Sequence, residues 1–387
     1  MSALREKIER EIREHGPLPF SRYMELCLYD PELGYYSHNA AQFGKAGDFY
    51  TSSDVHAVFG RLLARQFDQM WRVLGSPARI TLKELGPGRG LFAKDVLDWS
   101  EKKFPDFFRA VQYKLDERSP ALRQRIESTL SRHLESGKAV LSSENVGTPE
   151  TGPAIVFANE FFDALPVEIL SSEGSLRIDA RDGRLVETWV QPSPEELEFL
   201  DRYSIHPEGG ERVEVPLQAQ AHMHAASSLT RGFAVVIDYG YTRAEQLAGR
   251  HRGTLKAIRQ HSVSDNPYQA PGEQDITADV NFTALAAVAE EHAMQAHKLV
   301  TQSQFLLGIG EANEFADAFE DCHLPQERAK VALQLKHLVT PAGMGESFHV
   351  LVASKGVAEE KVAALAGLSF GRRSKDTGTV TTFLLRR

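Results

Sequence analysis

Residues 79–102 carry the feature that most restricts the fold. Residues 79–85 are a short run of strand-forming residues, and 91–102 have helical periodicity. Between them stands Glu84-Leu85-Gly86-Pro87-Gly88-Arg89-Gly90. Glycine adopts positive φ at no steric cost and lets backbone approach a ligand closely. Three glycines in five positions therefore predict a strand, a tight turn and a helix. In an open parallel sheet such a turn lies where ligands bind. A dinucleotide fingerprint would place its third glycine at position 91, which is Leu91; here it falls one residue early, at Gly90. GxGxG behind an acidic strand residue, here Glu84, is the spacing typical of enzymes that use S-adenosylmethionine. Their ligand brings a methionine carboxylate, not a pyrophosphate, to the helix N-terminus. On this motif alone, a glycine-rich turn without a ligand remains the alternative.

A regular alternation follows. Residues 111–117 read as a second strand. Ser119-Pro120 reads as N-cap and first residue of a helix. Residues 139–142 are a third strand. Ala154-Ile155-Val156-Phe157-Ala158 is a fourth and wholly apolar, as a strand buried on both faces should be. Residues 234–237 are a fifth, ending at Asp238-Tyr239-Gly240. Strands and helices at this spacing predict an α/β fold with a parallel, doubly wound, Rossmann-like sheet. Residues 1–75 read as a helical N-terminal cap, with Leu4, Ile8 and Ile12 on one helix face, and 76–387 as the main domain. Within it, 166–190 read as hairpins with turns at Glu173-Gly174 and Asp182-Gly183. Residues 194–203 and 217–229 read as helices, so about 166–230 form an inserted α+β segment. Residues 251–279 read as a polar loop before a helix from Phe282. Residues 298–301, 348–352 and 379–385 read as the last strands.

Composition limits the function. A net charge of -9 argues against nucleic acid or an anionic membrane as partner, since both want a basic surface. Cys27 and Cys322 lie far apart and share no metal-ligand spacing with histidine, so no metal site is expected, and a reduced, cytoplasmic protein of bacterial type is. No apolar run approaches the ~20 residues of a membrane helix. The acidic first helix counts against a targeting leader. His222 and His224 read as helix-surface residues.

Two strand exits carry polar groups. Glu117 ends the second strand, where a carboxylate can accept hydrogen bonds from both hydroxyls of a ribose; Asp116 beside it points the other way along the pleat. The fourth strand runs into Asn159-Glu160-Phe161-Phe162-Asp163-Ala164-Leu165-Pro166. That places an amide and two carboxylates where α/β sheets do chemistry, although helix capping by the aspartate is an alternative.

These residues, with Gly16-Pro17-Leu18-Pro19-Phe20, Asp30-Pro31, Gly34-Tyr35-Tyr36, Gly47-Asp48-Phe49, Ile237-Asp238-Tyr239-Gly240, Gly253-Thr254-Leu255 and Pro271-Gly272-Glu273 with Asp275 and Thr277, make a chain that resembles the MidA-type methyltransferases over most of its length. The mitochondrial members of that family methylate an arginine of a respiratory complex I subunit during assembly. The resemblance implies S-adenosylmethionine as cofactor, held by Glu84, Gly86, Pro87, Gly88, Gly90, Glu117 and Asn159, with Gly47, Asp48, Phe49 and Thr51 from an earlier loop. It implies a protein substrate, by family a respiratory complex subunit, facing Asn159, Glu160 and Asp163. Whether the chain forms a homodimer is left open. The chain departs from the family pattern at Ser53, His56, Asp279 and Asn281, which border the expected pocket. A guanidinium cannot be deprotonated in advance, its pKa being above ~12. Glu160 and Asp163 would orient its fork, and Tyr239 or His261 would take the proton. Three other readings compete: a different methyl acceptor, a non-catalytic assembly factor that binds the cofactor, and an NAD-type oxidoreductase. The glycine spacing counts against the last.

Overall fold

A computed structural model of the chain describes residues 2–38, 57–142, 150–259, 262–264 and 266–370. The strands in chain order are β1 (Leu18–Pro19), β2 (Ile80–Leu85), β3 (Val111–Asp116), β4 (Ala139–Leu141), β5 (Glu150–Asn159), β6 (Glu168–Ser171), β7 (Gly174–Arg181), β8 (Arg184–Val190), β9 (Val213–Val215) and β10 (Leu229–Tyr241). There follow β11 (Lys256–Arg259), β12 (Ser262–Ser264), β13 (Asp275–Thr277), β14 (Val280–Asn281), β15 (Gln295–Ala296), β16 (Val300–Thr301) and β17 (Phe348–Lys355).

The main sheet has the order β15-β17-β10-β5-β2-β3-β4. Its strands from β4 across to β10 pair in parallel, and β17 is antiparallel to β10. The chain winds from β2 outward to β4, then returns to β5 on the other side of β2. The order of winding thus reverses between β2 and β5. At such a switch point the two crossover connections leave opposite faces and open a crevice beyond the carboxyl ends of the strands.

Alternation along β5 sends Ile155 and Phe157 to one face and Val156 and Ala158 to the other, and each face has its own core. On the first face Phe157 stacks on Phe92 at 4.7 Å and meets Phe67 edge-on at 5.5 Å. Those rings come from the helices Leu91–Lys103 and Ala57–Val73. On the second face Val156 and Ala158 pack with Met223 and Leu285 of the helices Leu217–Ser227 and Phe282–Glu291. β5 is therefore buried on both sides, which explains its unbroken apolar run.

The described residues among 1–75 divide between two cores. Ala57–Val73 packs on the main sheet, whereas the helices Ala3–His15 and Phe20–Tyr29 bury Leu4, Ile8, Ile12, Phe20 and Tyr23 against Ile178 and Ile276 of smaller sheets. One of those sheets is β1-β7-β6-β9 with β8. Its hairpin turn Asp182-Gly183 has φ of 48° and 68°, the double positive φ that suits a two-residue hairpin. Residues 251–279 are more than a loop, because β12-β11-β13 form a three-stranded sheet there. Its strands are three or four residues long, β11 and β12 partly exposed and β13 buried, too short for period-two patterning to stand out. β10 is longer than expected because it pairs with β5 on one edge and β17 on the other. Residues 379–385 lie outside the described residues. Among the described residues no helix is long and apolar enough to cross a membrane.

Candidate active site

A cavity of about 170 Å³ opens at the switch point. One half is built by the exits of β2 and β3. Gly86, Gly88 and Gly90 have φ of 63°, 55° and 75°, all in the left-handed region. A Cβ on Gly86 would lie 2.7 Å from Phe161 Cδ2, and one on Gly90 would lie 3.2 Å from Leu130 Cδ1. A Cβ on Gly88 would meet nothing within 4 Å. The three glycines thus do different work. Gly86 admits the Phe161 ring, Gly88 keeps the wall of the cavity open, and Gly90 seats the helix Leu91–Lys103. Glu84, Gly86, Pro87 and Gly88 line the cavity; Gly90 lies outside its wall.

Glu84 is buried and accepts a hydrogen bond from Tyr113 Oη at 2.8 Å. Burial pushes its carboxyl up to about 8, so it is neutral at pH 7. Glu117 also lines the cavity. Its Oε1 accepts the Ser119 N–H at 2.8 Å. Glu117 is half-buried, and desolvation pushes it up to about 7 against the pull of the Ser119, Arg118 and Gly88 N–H groups. Asp116 reaches the same wall beside Lys83, whose Nζ lies 3.5 Å from its Oδ2.

The exit of β5 forms the other half. Glu160 has φ of 49°, a conformation that L-residues with a Cβ pay for. It is held there because its N–H donates to Ile237 O at 3.0 Å and because Asp238 anchors the next residues. Asp238 is fully buried. Its Oδ2 accepts the N–H groups of Phe161, Phe162 and Asp163 at 3.2, 3.0 and 3.3 Å, and its Oδ1 accepts that of Tyr239 at 3.0 Å. Asp238 is thus a brace for the backbone and not a third acid on the cavity wall. Burial and the nearby Asp163 and Glu160 push it up; the N–H donors oppose them.

Asp163 is 2% exposed. Its Oδ2 accepts the Tyr239 hydroxyl at 2.5 Å, and its Oδ1 has no hydrogen-bond partner among the described residues. Burial raises it to about 6. Asn159 donates to Glu160 Oε1 at 3.1 Å, while its own Oδ1 is buried with no such partner among the described residues. Asn159, Glu160 and Asp163 line the cavity, and Tyr239 stands behind Asp163. His261, Gly47, Asp48, Phe49, Thr51, Ser53 and His56 lie outside the described residues.

The structure adds residues that the sequence reading missed. Tyr29, Tyr36, Asp275 and Glu25 line the cavity beside the β5 exit. His222 is 7% exposed and lines it too, meeting Phe161 edge-on at 5.2 Å. The surface reading of His222 is therefore wrong. Its helix is rich in alanine and glutamine and shows no clear apolar stripe from which the buried face could be read. Burial lowers His222 to about 4, so it is neutral at pH 7. His224 is exposed. The departures at 279 and 281 have local structural partners. Asp279 pairs with His251 and Lys256 at 3.0 and 3.1 Å, and Asn281 caps the helix Phe282–Glu291 by accepting the Ala284 N–H. Among the described residues no group of three or more metal-ligating side chains is gathered.

Residues 62–300 match the family model described as "Putative S-adenosyl-L-methionine-dependent methyltransferase". The chain belongs to this family. Its fold is that of the family's solved structures. A Burkholderia thailandensis protein crystallised bound to S-adenosyl-homocysteine superposes with a TM-score of 0.80 at 27% identity, covering 95% of this chain and 94% of that one. Relatives named protein arginine methyltransferase are similar over most of their length. The Drosophila melanogaster mitochondrial NDUFAF7 homologue is 30% identical over 92% of this chain and 85% of its own. The human mitochondrial NDUFAF7 protein is 28% identical over 88% and 80%. The chain is thus an S-adenosylmethionine-dependent methyltransferase. Its cavity suits that cofactor: Gly88 leaves room where a side chain would intrude, and Glu117 offers acceptor oxygens at the end of the second strand.

Proposed function

We propose that the chain methylates a protein arginine. In this reading the nucleoside lies against Gly86, Pro87 and Gly88 with its ribose on Glu117, and the guanidinium lies against Asp163 and Glu160. The observation that carries the reading is Asp163. It is a buried carboxylate on the cavity wall, opposite the glycine turn, with one oxygen fixed by Tyr239 and the other without a protein partner among the described residues. Leaving a buried acceptor unpaired costs about 1–3 kcal/mol, and a charged planar donor from the substrate would satisfy it. The names of the relatives support the same acceptor.

S-adenosylmethionine supplies a methyl group on a sulfonium, already activated for direct displacement. The protein then has to align the acceptor and exclude water, and positioning of this kind can supply most of the acceleration. Asp163 fixes the guanidinium fork, and Tyr239 fixes Asp163. At pH 7 to 8 Asp163 is mostly ionised, so its Oδ1 can hold the proton that the guanidinium sheds as the new bond forms. Glu160, presented by its left-handed backbone, completes the pair. Asn159 contributes its amide at the boundary of the two halves. The family resemblance adds Gly47, Asp48, Phe49 and Thr51 to the cofactor side and His261 to the proton path. It also makes a respiratory complex subunit the protein acceptor; the cytoplasm as the place of action rests instead on the two widely separated cysteines.

Methyl-labelled S-adenosylmethionine, incubated with the protein and a cell lysate, tests the reading. After acid hydrolysis of the labelled protein, the label should run as methylarginine. Label in another side chain or in small molecules would refute the arginine assignment.

A further inference from the structure

His222, on the helix Leu217–Ser227, borders two spaces at once. One is the cavity. The other is a pocket of about 10 Å³ at the exits of β2 and β3, lined also by Lys83, Asp116 and Glu150. Asp116 Oδ2 and His222 Nδ1 are both buried with no hydrogen-bond partner among the described residues. Lys83 Nζ lies 3.5 Å from Asp116 Oδ2, and Glu150 is paired with Lys114 at 3.0 Å. The pocket has about the volume that one water needs. Asp116 is the chain neighbour of Glu117, so His222 stands beside the strand exit that carries the Glu117 carboxylate. Burial lowers the His222 ring to about 4. At pH 7 it is therefore neutral and carries a single N–H donor.

We infer that His222 binds the cofactor: its Nε2–H donates to an oxygen of the ribose diol whose protons go to Glu117. The inference rests on the ribose lying at Glu117, as proposed above, and extends that seat to a helix that no sequence motif marked. A carboxylate accepts the hydroxyl protons but cannot donate to the hydroxyl oxygens, whose lone pairs still need a donor. The small pocket decides which ring nitrogen holds the proton. One water there accepts from Lys83 Nζ and donates to Asp116 Oδ2 and His222 Nδ1. Both buried acceptors are then satisfied, and the imidazole proton stays on Nε2. The edge-on contact with Phe161 at 5.2 Å holds the ring in place.

Calorimetry with S-adenosylhomocysteine and its 2′-deoxy and 3′-deoxy analogues tests this in wild type, His222→Phe, His222→Gln and Glu117→Gln. His222→Phe should weaken S-adenosylhomocysteine about tenfold, the loss of one hydrogen bond. It should leave one analogue, the one without the contacted hydroxyl, within about twofold of its wild-type affinity. His222→Gln places an amide N–H near the Nε2 position and should stay within about threefold of wild type for all three ligands. If His222→Phe does not fold, His222→Asn, whose amide reaches only the Nδ1 position, takes its place with the same expectation. Glu117→Gln should cost less on either analogue than on S-adenosylhomocysteine. Nitrogen-15 resonances of the His222 ring should show the proton on Nε2; a proton on Nδ1 would overturn the inference. Wild-type affinity in His222→Phe would overturn it too, as would an equal loss for all three ligands, which would make His222 scaffold. An equal loss for all three in Glu117→Gln would instead unseat the ribose from Glu117, and this inference with it.

Discussion

Asp163 holds one oxygen against Tyr239 and keeps the other for the cavity. Replacing it with asparagine keeps the shape and removes the charge. Methyl transfer should then fall by about 10²–10⁴-fold, with S-adenosylhomocysteine affinity unchanged within about twofold; wild-type turnover would remove Asp163 from the chemistry. Glu117 makes a different demand. A ribose diol donates to a carboxylate better than to a carboxylic acid, and Glu117 is pushed up to about 7. S-adenosylhomocysteine affinity measured by calorimetry should therefore weaken as pH falls from 8 to 6. Glu117→Gln should flatten that dependence and weaken binding about tenfold at pH 8. Both acids were legible in the sequence because each stands at a strand exit. The Tyr36–Asp275 contact was not: both residues stand in motifs that carry the resemblance, but 239 residues separate them and nothing local to either shows that they meet. His222 was misread for want of an apolar stripe on its helix.

At the scale of elements, the β2 turn takes positive φ on glycines without strain, whereas the β5 exit holds Glu160 in a conformation that neighbours must enforce. Gly88 tests the first. Valine there would adopt positive φ at a cost of about 1–2 kcal/mol and would place its methyl groups on the cavity side. S-adenosylhomocysteine affinity should fall about 100-fold or more, close to 3 kcal/mol, in a calorimetric titration; unchanged affinity would place the ligand elsewhere. Asp238 tests the second. Asp238→Ala strands the buried N–H groups of residues 161–163 and should cost about 3 kcal/mol of stability, read from denaturant unfolding, together with most of the methyl transfer. An exposed-residue effect of under about 0.5 kcal/mol would deny the brace. The central strands were readable because β2, β3 and β5 combine apolar runs with turn chemistry. The hairpins were readable from Asp182-Gly183. The sheet of β11 to β13 was not, because its short strands are defined by tertiary pairing and not by their own pattern.

For the molecule as a whole, the cavity has a cost that pH should reveal. Glu84, Glu117 and Asp163 are raised to about 8, 7 and 6, above the ordinary carboxylate range near 4. Between about pH 4.5 and 8 the folded chain therefore binds more protons at these groups than the unfolded chain does. At these groups stability falls as pH rises through that window, while His222, lowered to about 4, works the other way below about pH 6.5. The ligand-free protein should melt lower at pH 8.5 than at pH 6, and Glu84→Gln, whose amide imitates the neutral acid, should shrink the difference. A melting temperature that rises over the same range would mean that these carboxyls are not buried as described. The cost is offset by two cores packed on either face of β5, which hold the strand exits in place around the cavity. The most direct measurement is a crystal structure of the full chain with S-adenosylhomocysteine. The account requires the ribose hydroxyls within about 3 Å of the Glu117 carboxylate and the sulfur facing Asp163 across the cavity. A nucleoside bound away from Gly88, with Glu117 turned to bulk water, would contradict it.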